Sequence, residues 1–118
     1  MAKIAGVVRL TINGEQLESL PEAELMLGGD ENESVMGASR RLGHRTKVVA
    51  SKLSCTIVWK NGAPIEDLRK LVDGTCVFEA DTGDSYTIDN LTILSPPSLK
   101  GGSGEVPLEF EGDPAKPL

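Results

Sequence analysis

A strand that buries one face and wets the other is written into residues 105–111, Glu-Val-Pro-Leu-Glu-Phe-Glu. Side chains along a strand alternate between the two sides of a sheet. Val106, Leu108 and Phe110 therefore share one side, and Glu105, Glu109 and Glu111 the other. The same alternation runs back through residues 78–112, where Thr-Gly, Pro-Pro and Gly-Gly-Ser-Gly cut the chain into short strands. Pro107 cannot donate a ladder hydrogen bond, which places an edge or a bulge beside it.

Upstream segments read the same way. Residues 5–12 are rich in β-branched residues and lead into Asn13-Gly14, a strong hairpin signal. Residues 15–20 form a short return strand stopped by Pro21. Residues 22–27 alternate again, with Ala23, Leu25 and Leu27 on one face and Glu22, Glu24 and Met26 on the other. Residues 28–47 differ, because the span 30–46 has no clean period. It is acidic first (Asp30, Glu31, Glu33) and basic later (Arg40, Arg41, Arg45). The reading is a long projecting loop, either functional or passive.

Residues 47–60 give the longest strand, with Val49, Leu53, Cys55, Ile57 and Trp59 on the apolar parity. Residues 64–72 give one helix: Pro64 suits its first turn, Ile65, Leu68, Leu71 and Val72 form a stripe, and Gly74 suits the cap. Residues 75–80 and 85–94 form a hairpin around Asp81-Thr82-Gly83-Asp84. The tail, 113–118, is frayed or used for contacts. The expectation is a single domain over residues 1–118, mainly β. It is an antiparallel sandwich or barrel of about eight short strands with one flanking helix.

A chain of 118 residues builds one real core, and with 3% aromatic residues that core is aliphatic. A net charge of −6 argues against tightly held nucleic acid, which needs Lys and Arg to displace counterions. No stretch approaches a membrane span, and the run from Ile4 to Val8 is too short for a signal peptide. Cys55 and Cys76 are not a CxxC pair and read as reduced core thiols.

Asp81-Thr82-Gly83 matches the triplet of aspartic proteases, whose mechanism needs two carboxylates in a dry dyad. Glu79 and Asp84 beside it indicate a wet hairpin turn instead. With His44 as the one histidine, neither a triad nor a zinc site has a ligand set. Asn32-Glu33-Ser34 and Asn90-Leu91-Thr92 match glycosylation sequons by chance. Residues 101–104 lack the Lys of a phosphate loop and lead into a strand. No catalysis, cofactor or metal is expected.

Taken together, the ordered features resemble the tail tube proteins of Mu-like contractile-tailed phages. They are Ala5-Gly6, Arg9, Asn13-Gly14, Pro21, Ala23, Leu25 and Gly28-Gly29, then Lys52-Leu53-Ser54-Cys55-Thr56-Ile57 and Asp67-Leu68. Later come Val77 through Gly83, Tyr86, Asn90, Pro96-Pro97, Gly104-Glu105-Val106 and Phe110-Glu111-Gly112. The resemblance covers nearly the whole chain and is thinnest over residues 34–45.

It implies a structural virion protein, assembled in the host cytoplasm into hexameric rings that stack as the inner tube of a contractile tail. It is shared in architecture with the tube of type VI secretion. Implied partners are further copies of the chain, the sheath, tape measure, baseplate and tail terminator proteins, and DNA only in transit, with no membrane. A tail terminator or initiator ring, or a non-catalytic β-sandwich binding module, remain as alternatives. Under the tube reading, Glu22 with Glu24, or Glu105, Glu109 and Glu111, are candidate luminal acids. Asp30, Glu31, Glu33, Arg40, Arg41 and Arg45 are candidates for contact between rings. The acidic rows read equally well as a solvated outer face.

Overall fold

The computed structural model describes residues 3, 5–17, 19, 20 and 22–118. Ile4, Glu18 and Pro21, the last read above as a strand stop, lie outside them. Among the described residues, ten strands and one short helix follow in order. They are β1 (Val8–Ile12), β2 (Glu15–Leu17), β3 (Glu24–Met26), β4 (Gly29–Met36), β5 (Arg41–Val49) and β6 (Ser51–Val58). After α1 (Ile65–Arg69) come β7 (Gly74–Ala80), β8 (Ser85–Ile93), β9 (Glu105–Gly112) and β10 (Lys116–Pro117).

One antiparallel sheet runs β2-β1-β7-β8-β9-β6-β3, with β10 added to β8. It folds into two leaves at β8. The first part of β8 pairs with β7, while its end pairs with β9 through Thr92 and Ile93. The kink falls where the β7–β8 register slips and Asn90 takes φ 55°. The two leaves are also stitched at their far edges. After β2, Ser19 bridges Ile57 and the Leu20 N–H donates to the Thr56 carbonyl at 2.7 Å. The chain thus carries itself from the edge of one leaf to the edge of the other.

The core lies between the leaves. Leu10, Ile12, Cys76, Ile88 and Leu91 face Leu53, Cys55, Ile57, Val106, Leu108 and Phe110, and α1 adds Leu68. The alternation expected for residues 105–111 holds for its buried side, Val106, Leu108 and Phe110, and for Glu105 and Glu109, which are exposed, while Glu111 at the β8 end is half-buried. The expected class, an antiparallel β architecture with one helix, also stands.

Several boundaries differ from the sequence reading. Residues 28–47 do not form a loop: β4 and β5 pair in register as a long hairpin. Their polar alternation was hidden because both faces are wet. The strand expected over 47–60 breaks at Ala50, where β5 ends and β6 begins. Trp59 is 46% exposed, since it lies past Val58, the last residue paired with β9, where parity no longer dictates direction. The helix stops at Arg69 and Lys70 caps it. The Leu71 N–H bonds back to Leu68 at 3.2 Å, and Asp73 at φ 54° turns the chain into β7, so Gly74 opens a strand rather than capping a helix. No helix among the described residues is long and apolar enough to cross a membrane.

Of the two readings offered for residues 113–118, fraying is overturned, because the segment is bonded to the body of its own chain. The N–H groups of Asp113, Ala115 and Leu118 donate to carbonyls of Asp89, Leu27 and Ser85, at 2.9, 2.8 and 2.9 Å.

Cys55 and Cys76 are free, buried thiols, as expected. Burial pushes both up to about 12, and the nearby Cys55 charge adds to the rise at Cys76. Neither thiol is expected to react with a maleimide or disulfide reagent in native buffer, and both to react once urea unfolds the chain. Because the folded thiols hold their protons longer than the unfolded ones, their contribution is full below pH 9 and lost as pH rises toward 12. Rapid native labelling of either thiol would contradict this placement.

Candidate functional site

Two exposed surfaces collect the candidate residues. The first is the β4–β5 hairpin. Its strands of eight and nine residues contain no buried position. At about 3.4 Å per residue, such a strand reaches roughly 27 Å. The hairpin accounts for a radius of gyration of 17.3 Å, against about 13–14 Å for a compact chain of this length.

Register decides how its charges meet. Glu31 lies opposite Lys47 and Glu33 opposite Arg45. Directly opposed residues have Cβ atoms about 5 Å apart, so these opposite charges support the hairpin itself. On the other face the Thr46 hydroxyl donates to Asn32 Oδ1 at 2.7 Å, and Ser34 lies opposite His44. Asp30 lies opposite Val48. Arg40 belongs to the turn and Arg41 to its exit, where Arg41 Nε donates to the Gly43 carbonyl at 3.3 Å.

The sequence reading missed the apolar part of this surface. Val48 is 73% exposed, and Met36 and Leu42 near the tip are 66% and 63% exposed. Their signal was present, since a β-branched run at 48–49 and apolar residues bracketing Gly37 lie in a polar segment.

Gly28 sets the hairpin's base. It has φ +73°, and a Cβ there would meet Ser51 N at 2.7 Å and Val49 O at 2.8 Å. Only glycine supplies both the left-handed turn and the space for the outgoing leg to cross the returning one.

The second surface is the outer face of the β9–β6–β3 leaf. Ser54 of β6 pairs with Glu24 on one side and Glu109 on the other. In the next row Lys52 lies between Met26 and Glu111, and Glu111 lies opposite Thr92. The two acidic rows that the sequence offered as alternatives therefore merge: Glu24, Glu109 and Glu111 form one patch around Lys52. Glu105 sits at the far end of β9, opposite Val58. Glu22 departs from the patch. It takes φ 82° and lines a concavity with Ala5, Gly6, Val7 and Val8. The patch surrounds a shallow depression of about 140 Å³ lined by Glu24, Met26, Lys52, Ser54, Leu94, Glu109 and Phe110.

Asp81 occupies a turn. Its Oδ1 accepts the Gly6 N–H at 3.2 Å and its Oδ2 lies 3.7 Å from Lys3 Nζ. The Gly6 N–H, with Lys3 behind it, holds this carboxyl below its usual range. The Thr82 hydroxyl donates to Asp84 Oδ2 at 3.3 Å, and the Gly83 N–H closes the turn on the Ala80 carbonyl at 3.1 Å. The group is spent on the N-terminal segment. Among the described residues, no cluster of three His, Cys, Asp or Glu side chains is placed to hold a metal.

The family model described as phage tail tube protein matches residues 1–117. The tail tube protein of Escherichia phage Mu is 35% identical over 100 residues, covering 82% of this chain and 81% of that one. Two solved structures share the fold at much lower identity. The tube-terminating cap of the anti-feeding prophage superposes with TM-score 0.67 at 11% identity, over 94% of this chain and 87% of that one. A subunit of the sheath–tube complex of an extracellular contractile injection system does so with TM-score 0.67 at 7% identity, over 100% of this chain and 91% of that one.

Proposed function

Because the chain belongs to the phage tail tube protein family, we propose that it forms hexameric rings that stack into the hollow inner tube of a contractile tail, through which DNA is ejected. It is a structural component of the virion tail. The observation that carries the stacking reading is the hairpin, which has no buried residue yet exposes Val48, Met36 and Leu42. An isolated two-stranded hairpin is marginal in water. Burial against another copy supplies the missing apolar contact, and Arg40 and Arg41 at the tip are the charges its own register leaves for a neighbour. Asp30 serves the same contact from the base. Glu31, Glu33 and Arg45 act in it as the ladder that keeps the hairpin straight.

The acidic patch supports a wall that DNA slides past. Carboxylates repel phosphates over distances near the Debye length of about 8 Å at physiological salt. Each repulsion is weak, but a ring repeats it around the bore. Glu24, Glu109 and Glu111 are the first choice for the wall, with Glu105 and Glu22 flanking them. Changing these to Lys is expected to slow DNA ejection from otherwise intact tails. Unaltered ejection for every acid reversed would remove the luminal role.

Sheath protein on the outside, tape measure protein in the bore, and baseplate and terminator proteins at the ends complete the proposed assembly, built in the host cytoplasm. No catalysis is assigned. A second reading, a terminating ring, is favoured by the likeness to the anti-feeding prophage cap. Electron microscopy of the concentrated protein separates them: long tubes support the tube subunit, closed single rings the terminator, and persistent monomers would defeat both.

A further inference from the structure

We propose that residues 113–118 aim the assembly hairpin, with Asp113 and Ala115 as positioning residues that clamp its two legs to β8. The inference rests on reading the hairpin as the stacking element. Four observations converge on the hairpin's base.

The Ala115 N–H donates to the Leu27 carbonyl at 2.8 Å, one residue before Gly28 on the outgoing leg. The Ser51 hydroxyl, fully buried, donates to the Asp113 carbonyl at 2.7 Å on the returning leg. Asp113 is itself held at the kink of β8, where its N–H reaches the Asp89 carbonyl at 2.9 Å and its Oδ2 accepts Asn90 Nδ2 at 2.7 Å. Beyond Ala115, Lys116 and Pro117 pair with Thr87 and Tyr86 of β8, and the Leu118 N–H reaches the Ser85 carbonyl. One short strap therefore ties both legs to a strand shared by both leaves.

The mechanical consequence follows from length. A hairpin with no buried residue takes its direction only from its base. Over a reach of roughly 27 Å, a swing of about 10° at the base moves the tip by about 5 Å. That displacement is enough to miss a partner surface. The strap is suited to resist it, because Pro114 and Pro117 fix φ and leave little freedom to lose.

The test uses spin labels on Ser39→Cys at the hairpin turn and Glu79→Cys on β7, with the two native thiols shielded in the core. Distances are measured in the unassembled subunit, in the parent and in a Ser51→Ala, Ala115→Pro variant. The first change removes the hydroxyl donor, and the second removes the N–H that reaches the Leu27 carbonyl while fixing φ at that position. The tip-to-body distribution is expected to broaden about twofold and the critical concentration for tubes to rise about tenfold, since a hairpin sampling more directions must be ordered on contact. The chain ended after Pro114 is a second variant with the same expected readout, since of residues 115–118 Ala115 alone touches the core, with a half-buried methyl, and the others are exposed. A distribution as narrow as the parent's would overturn the clamp, whatever the tubes do. A broadened one with unchanged critical concentration would overturn its role in assembly. Failure of the parent itself to form tubes counts against the stacking reading alone, because the distance measurement needs no assembly.

Discussion

Deleting residues 32–43 is expected to leave a folded subunit that builds no long tubes. The deletion removes no buried side chain, because β4 and β5 have none. It keeps the base, where Gly29, Asp30 and Glu31 lie opposite Val49, Val48 and Lys47, and leaves His44, Arg45 and Thr46 to close the turn. Both leaves and their core are untouched, so the melting transition of the body stays close to the parent's. Assembly loses Met36, Leu42, Arg40 and Arg41 together, which are the apolar and cationic groups exposed at the tip. Negative-stain microscopy at matched concentration reads the result. Tubes of normal length from the deleted chain would show that rings stack without the hairpin.

The largest stability effect is expected at Phe110. Its side chain is fully buried, and its ladder partners are Leu53 on β6 and Ile93 on β8. Phe110→Ala leaves a cavity that facing backbone cannot close, at a cost of about 3–5 kcal/mol. A domain with total stability of about 5–15 kcal/mol loses a large part of it. The adjacent Glu109→Ala, on the exposed face, is expected to change stability by less than about 0.5 kcal/mol. Urea unfolding of the pair measures the difference. Equal losses would mean that the alternation of β9 does not sort core from surface.

Much of this architecture was legible because it is local. The period of two in residues 105–111 named the buried and exposed faces of β9 correctly. Asn13-Gly14 marked the β1–β2 turn, and Asp81-Thr82-Gly83 marked the β7–β8 turn. Where the pattern went silent, the reading failed. Residues 28–47 looked irregular because neither face of that hairpin is buried, so no apolar alternation distinguishes its strands from a loop. The tail left fraying and contact both open because most of its anchors are backbone groups, and the side chains that hold Asp113, those of Ser51 and Asn90, are far away in sequence.

Strand periodicity, turn chemistry, an aliphatic core and an acidic surface belong to the sequence by itself, since each depends on neighbours along the chain. Only the tertiary structure decided which surfaces those strands build. Glu24 and Glu109 are distant in sequence and join one patch because each pairs with Ser54. Glu31 and Glu33, read as charges for another subunit, face Lys47 and Arg45 of their own hairpin. The strap over Leu27 and Ser51 depends on a kink in β8. Periodicity is a property of one strand, whereas register and curvature are chosen by long-range pairing, in which every strand must bury its apolar face and satisfy its backbone at once.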